Sequence, residues 1–186
     1  MRNQPNRDYF SNDEVQTPLP LARALVRHFP ISGHVLEPCC GEGNIVEALL
    51  EEKHKKGNIR HIETFDTIWD KRGCNFNTDF LLHQGRADEI FTNPPWSKIR
   101  QFLDKAFEVA DSVTFICTLN HAVGLKARNR LMVQHDFGIE EIVLLDTPRL
   151  PWPQSGFQLS AIRWVRGYHG DIKWTDLQGR IDYALS

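Results

Sequence analysis

Apolar side chains recur at i, i+3, i+4 and i+7 through Ile99, Phe102, Leu103, Ala106, Phe107 and Ala110. That spacing lines one face of a helix. Leu19, Leu21, Ala22, Leu25, Val26 and Phe29 predict another helix, with Thr17 as N-cap, Pro18 at the first helical position and Pro30 as its terminator. Further helices are expected over 45–55 and 122–135. Between them lie short apolar runs closed by turn residues, which predict strands at 34–38, 58–67, 73–80, 90–92, 113–119, 139–146 and 159–165. The run 113–119 is nearly all apolar, as for a strand covered on both faces. The stretch 171–185 either adds an edge strand or packs loosely.

Strand and helix alternate, which predicts an α/β protein with an open, doubly wound sheet and helices on both faces. No helical pattern separates 139–146 from 159–165, so these two are expected to form an antiparallel pair. Ligands of such sheets bind at the carboxyl ends of the strands.

Length and charge narrow the picture. A chain of 186 residues fits one domain, 1–186, with an extended segment at 1–16 and an extension at 168–186. A net charge of -2 gives no overall field for polyanions, so nucleic-acid contact would rest on local basic stretches at 53–60, 126–130 and 163–173. Each of these also reads as a solvated face. Cys39, Cys40, Cys74 and Cys117 form no C-x-x-C pair and are expected to be reduced, buried thiols. The histidines form no metal-binding spacing, so no metal is expected. No apolar run is long enough to span a membrane and the N-terminus lacks a signal core, which predicts a cytoplasmic protein with no membrane partner.

The chemistry sits at the predicted strand ends. Glu37-Pro38-Cys39-Cys40-Gly41-Glu42-Gly43-Asn44 closes the first strand and opens a helix. Gly41 and Gly43 let a ligand approach the backbone, and Glu37 suits a ligand with a cationic head. A plain glycine turn is the competing reading. Val46 occupies the place where a dinucleotide site needs a small residue. Asp66 lies at the end of the second strand, where an acid takes ribose hydroxyls, with Glu63 and Asp70 as competitors. Asp79 suits either an adenine amine or a turn, and Phe80 either a base or the core.

Asn93-Pro94-Pro95-Trp96 follows the fourth strand. Neither proline has an N–H, so the ladder stops in a rigid turn. The turn presents an amide, a backbone carbonyl and an aromatic face, groups suited to gripping an amino group and stacking on its ring. A core aromatic is the other reading of Trp96. Trp152, Pro153 and Phe157 form either a second wall for a base or an apolar cover for the sheet.

Taken together, E-P-x-x-G-x-G, an acid after strand two, D-F after strand three and N-P-P-W after strand four resemble the S-adenosylmethionine-dependent amino-group DNA methyltransferases. The likeness runs over roughly residues 9–160, by motif order. It implies a Rossmann-like class I methyltransferase sheet of seven strands, the last one antiparallel. It also implies S-adenosylmethionine as cofactor, held by Thr17 and Pro18 at the methionine carboxylate and by Glu37, Pro38, Gly41, Gly43 and Asn44 along the methionine. Asp66 would take the ribose, and Asp79 and Phe80 the adenine. Asn93, Pro94, Pro95 and Trp96 would be catalytic, with Trp96, Trp152 and Phe157 on the target base.

The implied reaction methylates an exocyclic amine, N6 of adenine in DNA, with N4 of cytosine second. RNA amine and protein glutamine methylation share the motif's logic, and a non-catalytic cofactor- or nucleic-acid-binding module shares its fold. Trp96 stands where Tyr or Phe is commoner. Compact bacterial or phage members are the nearest in kind. No separate target-recognition domain is expected, so sequence choice would be weak or would come from a dimer or a separate recognition subunit; the protein itself would be a monomer or homodimer.

Overall fold

The computed structural model describes residues 13, 15–67, 75–76, 78–121, 126–149, 152, 154 and 156–183. Expectations for 1–12, Asp70, Cys74, 122–125 and Pro153 lie outside the described residues. The chain runs α1 (Leu19–His28), β1 (Gly33–Glu37), α2 (Asn44–Lys56), β2 (Ile59–Asp66), β3 (Asn75–Phe76), β4 (Ala87–Thr92), α3 (Ile99–Val109), β5 (Ala110–Thr118), α4 (Lys126–His135), β6 (Phe137–Leu145), β7 (Leu159–Arg166) and β8 (Lys173–Asp176).

The strands form one sheet in the order β3-β2-β1-β4-β5-β7-β6-β8. β3, β2, β1, β4 and β5 are parallel neighbours. β7 is antiparallel to both β5 and β6, as the missing helix between the two late strands required. The seven expected strands are thus present, with β7 reversed. An eighth, β8, pairs parallel with β6 and extends the edge, which selects the edge-strand reading of the tail.

Consecutive residues of a strand face opposite sides of the sheet. Val35, Phe91, Ile116, Val143 and Ala161 therefore meet the apolar faces of α1 and α2 in one core. Their neighbours Leu36, Ile90, Phe115, Ile142 and Ile162 meet α3 and α4 in the other. Central strands covered on both sides cannot alternate apolar with polar, which explains the unbroken run in β5.

Element bounds shift for local reasons. Pro18 sits at the N-cap position of α1 with extended angles (φ -60, ψ 139), so the helix opens at Leu19 and Thr17 does not cap it. Pro18 also keeps Thr17 extended, and the Thr17 carbonyl accepts instead from Asn44 Nδ2 at 2.8 Å. After Pro95 the chain makes one tight 3-10 turn, Trp96–Lys98, before α3 begins at Ile99. Cys39 and Cys117 are free thiols, but Cys40 is disulfide-bonded, which departs from the expected set of reduced thiols. No helix among the described residues is long and apolar enough to cross a membrane.

Candidate active site

Parallel pairing of β2, β1 and β4 brings their carboxyl ends to one edge of the sheet. Asp66 ends β2, the glycine loop follows Glu37 at the end of β1, and Asn93 follows Thr92 at the end of β4. These ends frame a cleft of about 280 Å³, just below the usual range of small-molecule sites, roughly 300–1,000 Å³. Of the expected residues, Thr17, Pro38, Gly41, Asn44, Asp66, Asp79, Phe80, Asn93 and Pro95 line it together.

The glycine loop is shaped by left-handed backbone at Gly41 (φ +48) and Gly43 (φ +87), which L side chains rarely adopt. Gly43 stands at the N-cap of α2, so the loop leads straight into a helix N-terminus. The Gly41 N–H donates to Asp66 Oδ2 at 2.9 Å, fastening the loop to the end of β2. Asp79 caps the following 3-10 turn, its Oδ1 accepting from Leu81 N at 2.9 Å, and so fulfils its turn reading while facing the cleft. Phe80 is buried, packs on Phe102 with ring centroids 5.4 Å apart, and also forms part of the wall. Core residue and cleft residue are one position here.

Asn93 carries the most telling geometry. Its Nδ2 donates to the Val15 carbonyl at 3.1 Å. Its Oδ1 is buried and has no hydrogen-bond partner among the described residues. A buried carbonyl-type oxygen without a donor is costly. This one belongs to a residue that lines the cleft.

Other expected residues lie elsewhere. Glu37 is fully buried and does not line the cleft. Its Oε1 accepts from Thr92 Oγ1 at 2.5 Å and from the Cys39 N–H at 2.9 Å, so it ties β1 to β4 beneath the loop. Oε2 has no partner among the described residues, and burial pushes the carboxyl up to about 8. Burial thus makes Glu37 hold its proton more readily than a surface carboxyl and weakens the charge it offers a cationic ligand. Pro18 and Gly43 shape the backbone beside the cleft without lining it, and the buried Pro94 is likewise absent from the lining.

Trp96 is half-buried. Its Nε1 donates to the Ile116 carbonyl at 3.2 Å, and its ring meets Trp152 edge-on, centroids 6.0 Å apart. Trp152 is only 1% exposed and donates from Nε1 to the Gln16 carbonyl at 2.8 Å. It is an apolar cover for the sheet rather than a pocket wall, because its face is consumed by packing. Phe157 is exposed and lies outside the cleft.

Two of the basic stretches lose members on folding, although Lys126 and Arg130 stay exposed. Arg163 is buried, forking onto Glu89 with two 2.8 Å bonds, and Arg128 is buried against Asn120 and His121. Lys173 binds Glu141 at 3.0 Å. In the stretch 53–60, His54, Lys55 and Lys56 remain at the surface.

Sequence reasoning did not single out Asp13, Val15, Gln16, Lys98 and Phe102, which also line the cleft. Phe102 lies one helical turn beyond Trp96–Lys98, a placement the helical pattern contained. The segment around Val15 has no periodicity to reveal it. Charged side chains on the lining are Asp13, Asp66 and Asp79 against Lys98 alone, a balance that favours a cationic group. No group of three or more His, Cys, Asp or Glu among the described residues has metal-binding geometry.

No protein-family model matches the chain, and no curated protein matches it in sequence. Solved structures do match in shape. A Listeria monocytogenes protein assigned to the class I S-adenosylmethionine-dependent methyltransferases superposes with TM-score 0.68 at 11% identity, over 91% of this chain and 68% of that one. The methyltransferase subunit of a type I restriction-modification system from Streptococcus thermophilus gives TM-score 0.60 at 12% identity, over 89% and 48%. TYW2 of M. jannaschii, in complex with AdoMet, gives 0.52 at 12% identity, over 82% and 78%. The chain spans about half the length of the restriction-modification subunit. With β7 reversed beside a run of parallel strands, and with these superpositions, the chain has the Rossmann-like fold of the class I S-adenosylmethionine-dependent methyltransferases.

Proposed function

We propose that this chain binds S-adenosylmethionine in the cleft and methylates an exocyclic amino group of a nucleic-acid base, N6 of adenine in DNA. The observation that carries the reading is Asn93 Oδ1, a buried acceptor without a donor at the end of β4. An incoming amino group is a donor of the required kind.

The residues present fit the cofactor. Gly41 holds a left-handed φ of +48, which disfavours any L side chain and keeps the loop backbone open to a ligand. Asp66 at the end of β2 suits the ribose, Asp79 and Phe80 the adenine, and Thr17 with the glycine loop the methionine. The aspartate-rich lining suits a sulfonium. When bound, S-adenosylmethionine supplies an electrophilic methyl group.

The chain's own contribution is to the acceptor. The lone pair of an aromatic amine is delocalised into its ring. Asn93 Oδ1 and the Pro94 carbonyl would each accept one N–H, which favours pyramidal nitrogen and stabilises the positive charge that develops there. Neither group needs to remove a proton before attack, so an amide serves where a carboxylate base might stand. Pro94 and Pro95 hold the two oxygens in fixed relation. Trp96 lies beside the cleft rather than on its lining, and its exposed part would be what meets the base; stacking on a ring is worth roughly 1–3 kcal/mol, the same scale as extruding a base from a duplex.

The test is a partition experiment. Purified protein is incubated with methyl-labelled S-adenosylmethionine and equal masses of duplex DNA, single-stranded DNA, RNA and protein acceptor, and the modified residue is identified by mass spectrometry. The expected product is N6-methyldeoxyadenosine. Label in glutamine alone, or in none of the acceptors, overturns the reading.

A further inference from the structure

We propose that residues 13 and 15–17 act as a strap that sets the orientation of the Asn93 amide, with Asp13 and Trp152 as the positioning residues that hold the strap down. The proposal rests on the catalytic role given to Asn93 above and adds the residues that make it competent.

An asparagine amide can present either end to a given site after a half-turn about its last bond. A carbonyl oxygen only accepts, so the Val15 carbonyl at 3.1 Å can face only the NH2 end of Asn93. That contact leaves Oδ1 as the end without a partner. Without the strap, either end could take the cleft position, and an NH2 there would repel the amine it has to receive.

The strap is fastened at both ends of the site. On the side of the turn after β4, Asp13 Oδ1 accepts from the Ser97 N–H at 3.0 Å, and Asp13 Oδ2 accepts from Ser97 Oγ. On the side of the glycine loop, Gln16 Oε1 accepts from the Glu42 N–H at 2.8 Å, and the Thr17 carbonyl accepts from Asn44 Nδ2 at 2.8 Å. Trp152 holds the middle through its 2.8 Å bond to the Gln16 carbonyl. One short segment thus joins the loop proposed to cradle the cofactor to the amide proposed to receive the acceptor. A ligand that presses the strap onto the glycine loop also holds Val15 against Asn93, so cofactor and acceptor sites are coupled through a single main-chain oxygen.

Val15 offers a backbone atom, so substitutions must act on the fasteners. Asp13→Ala removes a contact at the surface and leaves the core untouched. Trp152→Phe removes one N–H and keeps an aromatic ring. Exchange of the Asn93 side-chain amide protons is followed by nitrogen-15 NMR, the resonance being assigned by its loss in Asn93→Ala. Both variants should exchange roughly tenfold faster than wild type, and adenosylhomocysteine should slow exchange in wild type. In single-turnover methyl transfer, both should lose roughly tenfold in rate, and in Trp152→Phe, whose side chain is outside the cleft lining, the dissociation constant for adenosylhomocysteine should stay within roughly threefold.

Unchanged amide exchange in folded Asp13→Ala overturns the strap, as does a loss of cofactor affinity in Trp152→Phe equal to its loss of rate. If wild type methylates nothing, the functional reading fails, while the exchange measurement still decides whether the strap orients Asn93.

Discussion

At the scale of single residues, an identical side chain can be a ligand or a beam, and partners decide which. Glu37 stands in the motif position expected to face a cofactor, yet it is buried between the Thr92 hydroxyl and the Cys39 N–H. Nothing near it in the chain announces Thr92, which reaches it only through the pairing of β1 with β4. Its raised value, about 8, has a consequence for stability. The native state keeps a proton that the unfolded chain releases near its ordinary value of 4.5. Stability from this group is therefore complete below that value, falls as pH rises towards 8, and is lost above it. Glu37→Gln keeps an acceptor for both donors and removes the titration. Urea unfolding at several values between pH 5 and 8 should show the wild-type loss of stability with pH reduced in the variant, by up to about 1.4 kcal/mol per pH unit. Equal slopes in the two proteins would mean that Glu37 is ionised when buried. Asn93, Asp66 and Asp79, by contrast, were legible in sequence because strand ends in a parallel sheet share an edge whatever their distant neighbours are.

Among the elements, the helical faces and the reversed β7 followed from periodicity and from the missing helix before it. What escaped was how deep β7 lies. Pattern alone read Arg163 as part of a basic surface, but β7 lies between β5 and β6, and folding buries the guanidinium. There it joins three strands, donating to Glu89 of β4 through both Nη atoms and to Glu140 of β6 through Nε at 2.9 Å, with Thr114 of β5 at 3.4 Å. A fork onto a carboxylate is the arrangement that makes a buried arginine tolerable. Arg163→Met should destabilise the protein by roughly 3–5 kcal/mol, because Glu89 is left buried without its counter-charge. Adding Glu89→Gln should recover part of the loss. Chemical denaturation of the single and double variants checks this, and additive losses would show that the two side chains do not act as a pair.

Over the whole molecule, the sheet collects chemistry from residues far apart in the chain. Asp66, the glycine loop, Asp79 and Asn93 face one cleft because four strand ends point the same way. The strap reaches the site from the N-terminal part of the chain and is tied to the buried Trp152 by the bond from Trp152 Nε1 to the Gln16 carbonyl. That tie was not legible in sequence, since the segment around Val15 has no period and a main-chain acceptor leaves no mark on residue type. The Asn93 amide is where the sheet, the turn and the strap converge. With duplex DNA and methyl-labelled S-adenosylmethionine, Asn93→Ala should form N6-methyldeoxyadenosine roughly 10²–10³-fold more slowly than wild type, the usual cost of one oriented hydrogen-bonding group at a developing charge, with adenosylhomocysteine binding within a few-fold. Equal rates in the two proteins would remove Asn93 from the reaction and leave its unpartnered oxygen without a role.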